Sequence, residues 1–372
     1  MTTPKIVILG GYGTFGSLIA EQLARSNAQV VVAGRDTNKG QAFATALRVG
    51  FRHCDARNTT SLHDLVAGTQ LVINAAGPFQ VKDYSIPQAC IDHGCNYIDL
   101  GDGREYVTEI GQLHESARAA NVFVCVGAST TPAITSAVVA ELRPHFQTIR
   151  SIKVALTAGN KIQAGVSTIA SILAYVGRPV RVWQDRRWQE LAGWGLGEFI
   201  EFPKPVGRRR VQLCDVPDLE LFPQLFGVDS VVFKAGVELT LLNYALAVLA
   251  QLRKLRPSLN LPALAKPLVH VSKLFKSLGT LHGSFAVWVT DDTGHEKALA
   301  FVAPQNGPRV PSSPAVLLAR KWLAGDTPAP GAYPCVGLIS LAEFADYLAA
   351  FGIFVVRGEN GVWAAPRNAA SG

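Results

Sequence analysis

Six short apolar runs alternate with helix-like segments through residues 1–143 of the chain. After the first run, apolar residues recur on one helical face from Phe15 to Leu23. Strands that alternate with helices in this way are typical of an α/β domain with a doubly wound parallel sheet. The runs that predict its strands are Lys5–Leu9, Gln29–Ala33, Val49–Cys54, Leu71–Ala75, Asn96–Asp99 and Val122–Val126.

This alternation ends after Pro144, and the pattern indicates a second α+β domain with a mainly antiparallel sheet over residues 144–329. We expect that domain to hold the substrate or a dimer contact. A C-terminal segment of about residues 330–366 is expected to pack back on the first domain. The runs that predict strands in the second domain are Ile149–Ala158, Arg210–Cys214, Ser230–Lys234, Phe285–Thr290 and Ala298–Val302.

A glycine-rich turn directly follows the first predicted strand. In this setting one glycine permits the turn, one lets backbone N–H groups approach a diphosphate, and one lets the helix pack on the strand. We therefore predict a dinucleotide-binding site of the Rossmann type; the alternative is an ordinary strand–helix turn without a ligand. The predicted cofactor residues of this turn are Gly11, Tyr12, Gly13, Thr14, Phe15 and Gly16.

Residues at the end of the second predicted strand are expected to determine whether the site prefers NADP or NAD. An NAD site has a carboxylate about 20 residues after the glycines, whereas this chain has Arg35 followed by Asp36. A guanidinium group binds a 2′-phosphate through two hydrogen bonds and stacks on adenine. We predict NADP, with NAD as the alternative. Asp36 would point away, cap the next helix or reach the ribose, and the alternative for Arg35 is a solvated loop charge.

Two more loops follow predicted strands on the ligand side of such a sheet. Asp55 and Ala56 follow the third strand, where Asp55 would accept a hydrogen bond from the adenine amino group. The loop after the fourth strand has small residues that let its backbone approach the nicotinamide half, with Phe79 on the substrate side. Either loop would otherwise be a packed turn. The cofactor residues predicted in the second loop are Ala75, Ala76, Gly77 and Pro78.

Candidates for the catalytic proton donor follow the fifth predicted strand. Burial beside a cofactor would raise the pKa of a carboxyl group there, whereas a neighbouring arginine would lower it. In the alternative, structural interpretation, Asp99 accepts hydrogen bonds from the next backbone N–H groups and pairs with Arg104. The candidates are Tyr97, Asp99, Asp102 and Arg104.

A basic triplet in the second predicted domain would either bind a substrate carboxylate or form a solvated loop before a strand. The triplet is Arg208-Arg209-Arg210, of which Arg208 and Arg209 are the predicted substrate contacts.

Composition narrows the class of protein. With 48% hydrophobic and 17% charged residues, the chain is typical of globular proteins. Its net charge of +7 comes from scattered residues without a nucleic-acid motif, so we predict no nucleic-acid partner. The six cysteines form no C-x-x-C pair and have no zinc spacing, which predicts no metal site and favours a reducing compartment. With the first strand expected at Lys5, we predict no signal peptide and a cytoplasmic location.

Residues 239–290 are rich in leucine and contain no Asp or Glu. Their longest uncharged apolar stretch, Leu239–Leu252, is shorter than the ~20 residues of a spanning helix, so no transmembrane segment is predicted. The segment is either a peripheral surface that contacts anionic lipid or an apolar substrate, or a helical excursion that packs on the core or forms a homodimer contact. Its basic residues are Arg253, Lys254, Arg256, Lys266, Lys273 and Lys276.

Taken together, these motifs resemble the saccharopine dehydrogenase-like oxidoreductases. The resemblance implies an enzyme dependent on NADP or NAD, and better-known members of the family make or cleave a secondary amine through an imine. The family often has a Gly-x-x-Pro-Gly turn after the sixth strand. This chain has a longer loop with Ala133 after the proline, which speaks against an amino-acid substrate. The matching segments are Gly10–Gly16, Ala33–Asp36, Asn74–Phe79, Gly94–Asp99 and Gly127–Ala133.

We therefore predict an NADP-dependent oxidoreductase that transfers hydride to or from a C=N, C=O or activated C=C bond of a small molecule. One alternative is a nucleotide-binding protein without turnover that serves a structural or redox-sensing role. Another is a lipid-facing reductase that docks on a membrane through residues 239–290.

Overall fold

The computed structural model describes residues 3–77, 79, 81–162, 166–195, 197–275 and 277–365. The chain forms two compact units, and each is built from two separate stretches of sequence. The first unit comprises Met1–Ile134 and Pro308–Phe344, and the second comprises Thr135–Gly307 and Ala345–Gly372.

The first unit contains a seven-stranded sheet in which every strand pair is parallel. Its strands are β1 (Lys5–Leu9), β2 (Gln29–Gly34), β3 (Gly50–His53), β4 (Leu71–Asn74), β5 (Asn96–Asp99), β6 (Phe123–Val126) and, late in the chain, β15 (Gly331–Pro334). The order is β15-β6-β5-β4-β1-β2-β3, so the first six strands have the order of a Rossmann fold. The predicted doubly wound parallel sheet is confirmed.

Apolar side chains of β1 and of the helix that follows it fill the centre of this unit; Ile6, Ile8, Ile19 and Leu23 have no exposed surface. Because strands of a parallel sheet are covered on both faces, they read as continuous apolar runs, which is why the sequence located them well. The helices are α1 (Gly16–Leu23), α2 (Thr37–Leu47), α3 (Thr59–Val66), α4 (Ser85–Asp92), α5 (Arg104–Thr108), α6 (His114–Ala119) and α12 (Arg309–Leu323). A 3-10 turn spans Ile110–Leu113.

The second unit contains a ten-stranded sheet in which β7 and β12 pair in parallel and the other pairs are antiparallel. Its strands are β7 (Ser151–Ala158), β8 (Pro179–Gln184), β9 (Arg187–Ala192), β10 (Gly197–Phe202), β11 (Gly207–Leu213), β12 (Ser230–Val237), β13 (Gly283–Thr290), β14 (Glu296–Ala303), β16 (Phe354–Glu359) and β17 (Val362–Trp363). The predicted mainly antiparallel sheet is therefore confirmed, including the hairpin of β13 and β14.

The helices of the second unit include one long helix in the leucine-rich segment, α10. They are α7 (Thr135–Leu142), α8 (Val166–Tyr175), α9 (Asp218–Phe226), α10 (Thr240–Leu255) and α11 (Ala265–Leu274), and α13 (Leu341–Ala349) begins in the first unit. Among the described residues, no helix combines the length and apolar character needed to cross a bilayer.

The two units differ from the expected boundaries at the C-terminal end. Residues 330–366 were expected to pack on the first domain, but they are shared between the two sheets. Strand β15 pairs with β6 of the first sheet, whereas β16 pairs with β14 of the second. Helix α12, expected in the second domain, belongs to the first unit, where Arg309 forms a 3.1 Å ion pair with Glu21 of α1. Two prolines, Pro311 and Pro314, lie within α12 and hide its helical pattern in the sequence.

Candidate active site

The glycine-rich turn connects β1 to α1 in the predicted geometry. Gly10 has φ of +74°, and the N–H of Gly13 donates to the Gly10 carbonyl over 2.9 Å, which closes a tight turn. Helix α1 has no side-chain cap and no acidic residue in its first turn. Its first N–H groups and its positive dipole end therefore suit a diphosphate.

The three motif glycines have different steric surroundings. A Cβ atom on Gly16 would lie 2.2 Å from the carbonyl oxygen of Gly10, and one on Gly11 would lie 2.7 Å from Val32. A Cβ on Gly13 would approach only the Gly10 carbonyl oxygen, at 3.1 Å. Gly11 and Gly16 are thus required by packing within the protein, whereas Gly13 leaves space beside the turn for a ligand.

Tyr12 joins the glycine-rich turn to the end of β2. Its hydroxyl group accepts a 2.9 Å hydrogen bond from the N–H of Asp36, and a Cβ atom on Gly34 would lie 2.4 Å from that hydroxyl oxygen. The Asp36 carboxylate accepts a 3.0 Å hydrogen bond from the N–H of Lys39. Of the three roles considered for Asp36, the structure has the helix cap.

Arg35 is exposed at this turn and interacts electrostatically with Asp55, as Arg57 does. We use the name cationic rim for three exposed cations, Arg35, Lys39 and Arg57. The Lys39 ammonium group lies 5.9 Å from the centre of the Tyr12 ring. Arg57 binds Asp55 through Nε at 3.1 Å and Nη2 at 3.0 Å, and these bonds lower the pKa of Asp55 to about 2. Asp55 is thus already engaged by a guanidinium group, unlike the free adenine contact that we expected.

The small residues after β4 pack directly against the glycine-rich turn. A Cβ atom on Gly10 would lie 3.0 Å from both Ala75 and Ala76. Asn74 supports this loop, because its Oδ1 accepts a 3.0 Å hydrogen bond from the N–H of Ala76. Ala56 and Gly77 are partly exposed, Thr14 and Ala76 are exposed, and Pro78 lies outside the described residues.

Asp99 is fully buried at the end of β5 and connects two loops on the ligand side of the sheet. Its Oδ1 accepts hydrogen bonds from the N–H of Gly101, at 2.8 Å, and the N–H of Gly127, at 3.0 Å. The Tyr106 hydroxyl donates to its Oδ2 over 2.5 Å. Burial raises the pKa of Asp99 to about 6 although these donors oppose the rise. This geometry places Asp99 as a positioning residue for both loops.

The other donor candidates differ in their access to solvent. Tyr97 is fully buried, its hydroxyl accepts a 3.0 Å hydrogen bond from Asn74, and burial raises its pKa well above the ordinary value. Arg104 is 8% exposed, whereas Asp102 is exposed on the same loop. Asp102 is therefore the carboxylate of this group that a bound substrate could contact.

Tyr106 was not identified from the sequence. Its ring lies 5.8 Å from that of Phe79, and its carbonyl oxygen accepts a 2.7 Å hydrogen bond from the Tyr84 hydroxyl. The available signal was a tyrosine in the helix directly after the donor loop. Nothing in its spacing indicates that it reaches back to Asp99.

The basic triplet lies in the second unit, within β11 and paired with β10, so the alternative of a solvated loop before a strand is wrong. Arg209 forms a 3.2 Å ion pair with Glu238, which also accepts hydrogen bonds from the N–H groups of Asn160 and Thr280. The guanidinium group of Arg208 lies 4.4 Å from the centre of the Phe199 ring. These contacts favour a structural role for Arg209.

Comparison with known proteins finds a family similarity within the first unit. Residues 6–125 match the family model of the saccharopine dehydrogenase NADP-binding domain. The predicted resemblance is confirmed for these residues, and the domain description supports NADP as the cofactor.

Two curated relatives match similar lengths of sequence. A candidate trans-acting enoyl reductase of Mycobacterium tuberculosis is 32% identical over 108 residues, which cover 26% of each chain. A probable mitochondrial saccharopine dehydrogenase-like oxidoreductase of Arabidopsis thaliana is 27% identical over 129 residues, or 30% of this chain and 28% of the relative. The matched segments thus span about a quarter of these relatives' length.

The fold extends the likeness beyond the matched sequence. The apo form of saccharopine dehydrogenase (L-Glu forming) from Saccharomyces cerevisiae aligns with 96% of this chain and 99% of its own, with a TM-score of 0.68. The identity is 11%, so this alignment shows a shared fold.

Proposed function

We propose that this chain, whose residues 6–125 match the family model of the saccharopine dehydrogenase NADP-binding domain, is an NADP-dependent oxidoreductase. The reaction would transfer hydride to or from a C=N, C=O or activated C=C bond of a small molecule. The observation that carries the proposal is the open side of the turn at Gly13 together with the cationic rim at the end of β2.

The residues of the first unit fit NADP along its length. The glycine-rich turn and the start of α1 would hold the diphosphate. Arg35, supported by Lys39 and Arg57, would bind the 2′-phosphate, and the N–H of Asp36 stays engaged with Tyr12. Ala75, Ala76 and Gly77 would line the nicotinamide half. When bound, the cofactor supplies the hydride, and the protein supplies orientation and a proton.

Asp102 is our candidate for the residue that supplies or receives that proton. It is exposed on the loop whose backbone is fixed by the bond between Asp99 and Gly101. Phe79 would contribute an apolar contact to the substrate. The ion pair of Arg209 with Glu238 favours Arg208 over Arg209 if the basic triplet contacts a substrate.

The first experiment is cofactor binding, measured by the fluorescence of NADPH and NADH titrated with the purified chain. We expect tighter binding of NADPH, since NADH lacks the 2′-phosphate that the cationic rim would bind. Equal affinities would overturn the NADP assignment, and the absence of binding to either would overturn the whole proposal. The second experiment measures NADPH oxidation with imines, ketones and enones.

The panel needs all three classes because the relatives differ in the reactions that their names describe. The Mycobacterium tuberculosis relative is named an enoyl reductase, and an enoyl group contains a C=C bond. The protein of the similar solved structure is a saccharopine dehydrogenase. An Asp102→Asn variant that binds NADPH normally but loses turnover would support the assigned role of Asp102. Unchanged turnover would remove that assignment.

The alternative of a nucleotide-binding protein without turnover has one observation in its favour. Both Asp99 and Tyr97 are fully buried and hydrogen-bonded, so neither reaches a substrate in this conformation. NADPH binding without oxidation across the panel would favour that alternative. The cytoplasmic location stays a prediction, as do the homodimer and lipid contacts considered for residues 239–290.

A further inference from the structure

Helix α10 exposes a continuous apolar stripe along one side. The stripe residues recur at intervals of three and four, and are 48–80% exposed. Because α-helices rise 1.5 Å per residue, the stripe is about 21 Å long. Isolated exposed apolar residues are ordinary, whereas a stripe of this size marks an interaction surface. The α10 stripe consists of Leu241, Tyr244, Val248, Leu252 and Leu255.

The opposite side of α10 attaches the helix firmly to its own unit. The side-chain amide of Asn243 donates a 2.7 Å hydrogen bond to the Val237 carbonyl. The buried Arg253 donates to the carbonyl oxygens of Leu173, Ala174 and Val176, each at 3.1 Å. The fold therefore already uses one face of α10, and the stripe is a second face outside this packing.

Cations flank the stripe at both ends. Near its start, the Arg210 guanidinium lies 4.6 Å from the centre of the Tyr244 ring. Near its end, Lys254 and Arg256 are exposed. Residues 239–290 contain no Asp or Glu. The carboxylate that directly precedes this segment, Glu238, is already paired with Arg209.

We propose that the α10 stripe docks this protein on an anionic lipid bilayer. Leucine, valine and tyrosine side chains would enter the acyl boundary while the flanking cations contact phosphate headgroups, an arrangement typical of helices that lie in the membrane plane. The 16-residue helix is too short to cross the bilayer. The proposal depends on the second unit alone and is independent of the redox activity.

A second copy of the chain is the competing occupant of the stripe. In a two-fold contact each surface meets itself, so two stripes would bring Arg210, Lys254 and Arg256 of both copies together. The segment has no carboxylate to compensate these charges. Headgroups of an anionic bilayer supply the opposite charge directly, which is why the structure favours lipid.

The experiment is flotation of the full chain with vesicles of phosphatidylcholine alone or mixed with phosphatidylglycerol. We expect binding to the anionic vesicles that weakens as salt is added. The double variant Val248→Gln/Leu252→Gln should weaken this binding about tenfold or more, and Lys254→Ala/Arg256→Ala should reduce it on anionic vesicles. The matched control is Leu225→Gln, at a 49% exposed leucine of α9, which should bind as the unmodified chain does.

Circular dichroism melting of each variant establishes that the fold is retained, since all substituted side chains are exposed. Absence of flotation with anionic vesicles would overturn the proposal. An equal loss of vesicle binding in the stripe variant and in the Leu225→Gln control would also overturn it. A dimer in analytical ultracentrifugation that Val248→Gln/Leu252→Gln dissociates, without vesicle binding, would assign the stripe to a second copy instead.

Discussion

The Tyr12 hydroxyl accepts a 2.9 Å hydrogen bond from the N–H of Asp36, and this bond connects the glycine-rich turn to the turn that carries Arg35. Because the tyrosine lies inside the glycine motif, the two turns that we propose to hold the cofactor are fixed relative to each other. The spacing of the motif residues predicts each turn separately. The bond between the turns depends on β1 and β2 being neighbours in the sheet.

Replacement of Arg35 tests the cofactor preference. Arg35→Ala should weaken NADPH binding about 10- to 100-fold, the value of a charge-assisted hydrogen bond to phosphate, and leave NADH binding nearly unchanged. Fluorescence titration with both cofactors measures the difference. Arg25→Ala is a matched control, because Arg25 is exposed after the opposite end of α1. Equal losses for both cofactors would contradict the assignment.

The motif glycines should respond differently to the same small change. Gly13→Ala adds a methyl group that meets only one protein atom closely, so we expect lost cofactor affinity with little change in melting temperature. Gly16→Ala forces a Cβ to 2.2 Å from a backbone oxygen and should destabilise the unit by several kcal/mol. Thermal melting and NADPH titration of both variants separate the effects. Equal destabilisation would refute the ligand-facing position of Gly13.

Asp99 should make the stability of the chain depend on pH. Its folded pKa of about 6 exceeds the unfolded value, so the folded state binds more protons between about pH 4 and 6. The free energy of unfolding should therefore fall as pH rises through that window. Asp99→Asn keeps an oxygen for the N–H groups of Gly101 and Gly127 and should flatten the dependence. Urea denaturation at several pH values measures it; an unaltered slope would contradict this account.

Asp99→Ala should be more harmful than the amide variant. It removes the acceptor of two buried backbone N–H groups, at a cost of about 2–4 kcal/mol. Because both loops after β5 and β6 would loosen, turnover should fall even where NADPH still binds. Stability and kinetics equal to those of Asp99→Asn would show that the acceptor is dispensable.

Asp218 in the second unit should have a similar effect over a wider window. Burial raises its pKa to about 7, while the Thr135 hydroxyl opposes the rise. Stability from this group is present at acidic pH and declines between about pH 4 and 7. Relative to the unmodified chain, Asp218→Asn should therefore raise the free energy of unfolding more at pH 8 than at pH 5. Asp346→Asn, at an exposed position, is the control, and matching pH profiles for the two variants would refute the assignment.

The sequence predicted what depends on local spacing. Continuous apolar runs located the first six parallel strands within two residues, and the motif located the turn before α1. Strand β15 was not predicted. Contacts between loops could not be predicted from residue spacing. Asp99 reaches Gly127 because β5 and β6 are neighbours, and Arg57 occupies Asp55 through a side-chain rotamer that no spacing encodes. Lys39 was missed because its approach to Tyr12 depends on how α2 leaves the sheet.

Strand β15 lies at one edge of the parallel sheet, beside β6, yet more than two hundred residues of chain separate the two strands. During translation, the ribosome completes the first six strands, then most of the second unit, and only afterwards the seventh strand. The nascent protein must therefore carry an unpaired β6 edge through most of its synthesis. Such an edge is a template for intermolecular association, so we expect nascent chains to need chaperone protection over this interval.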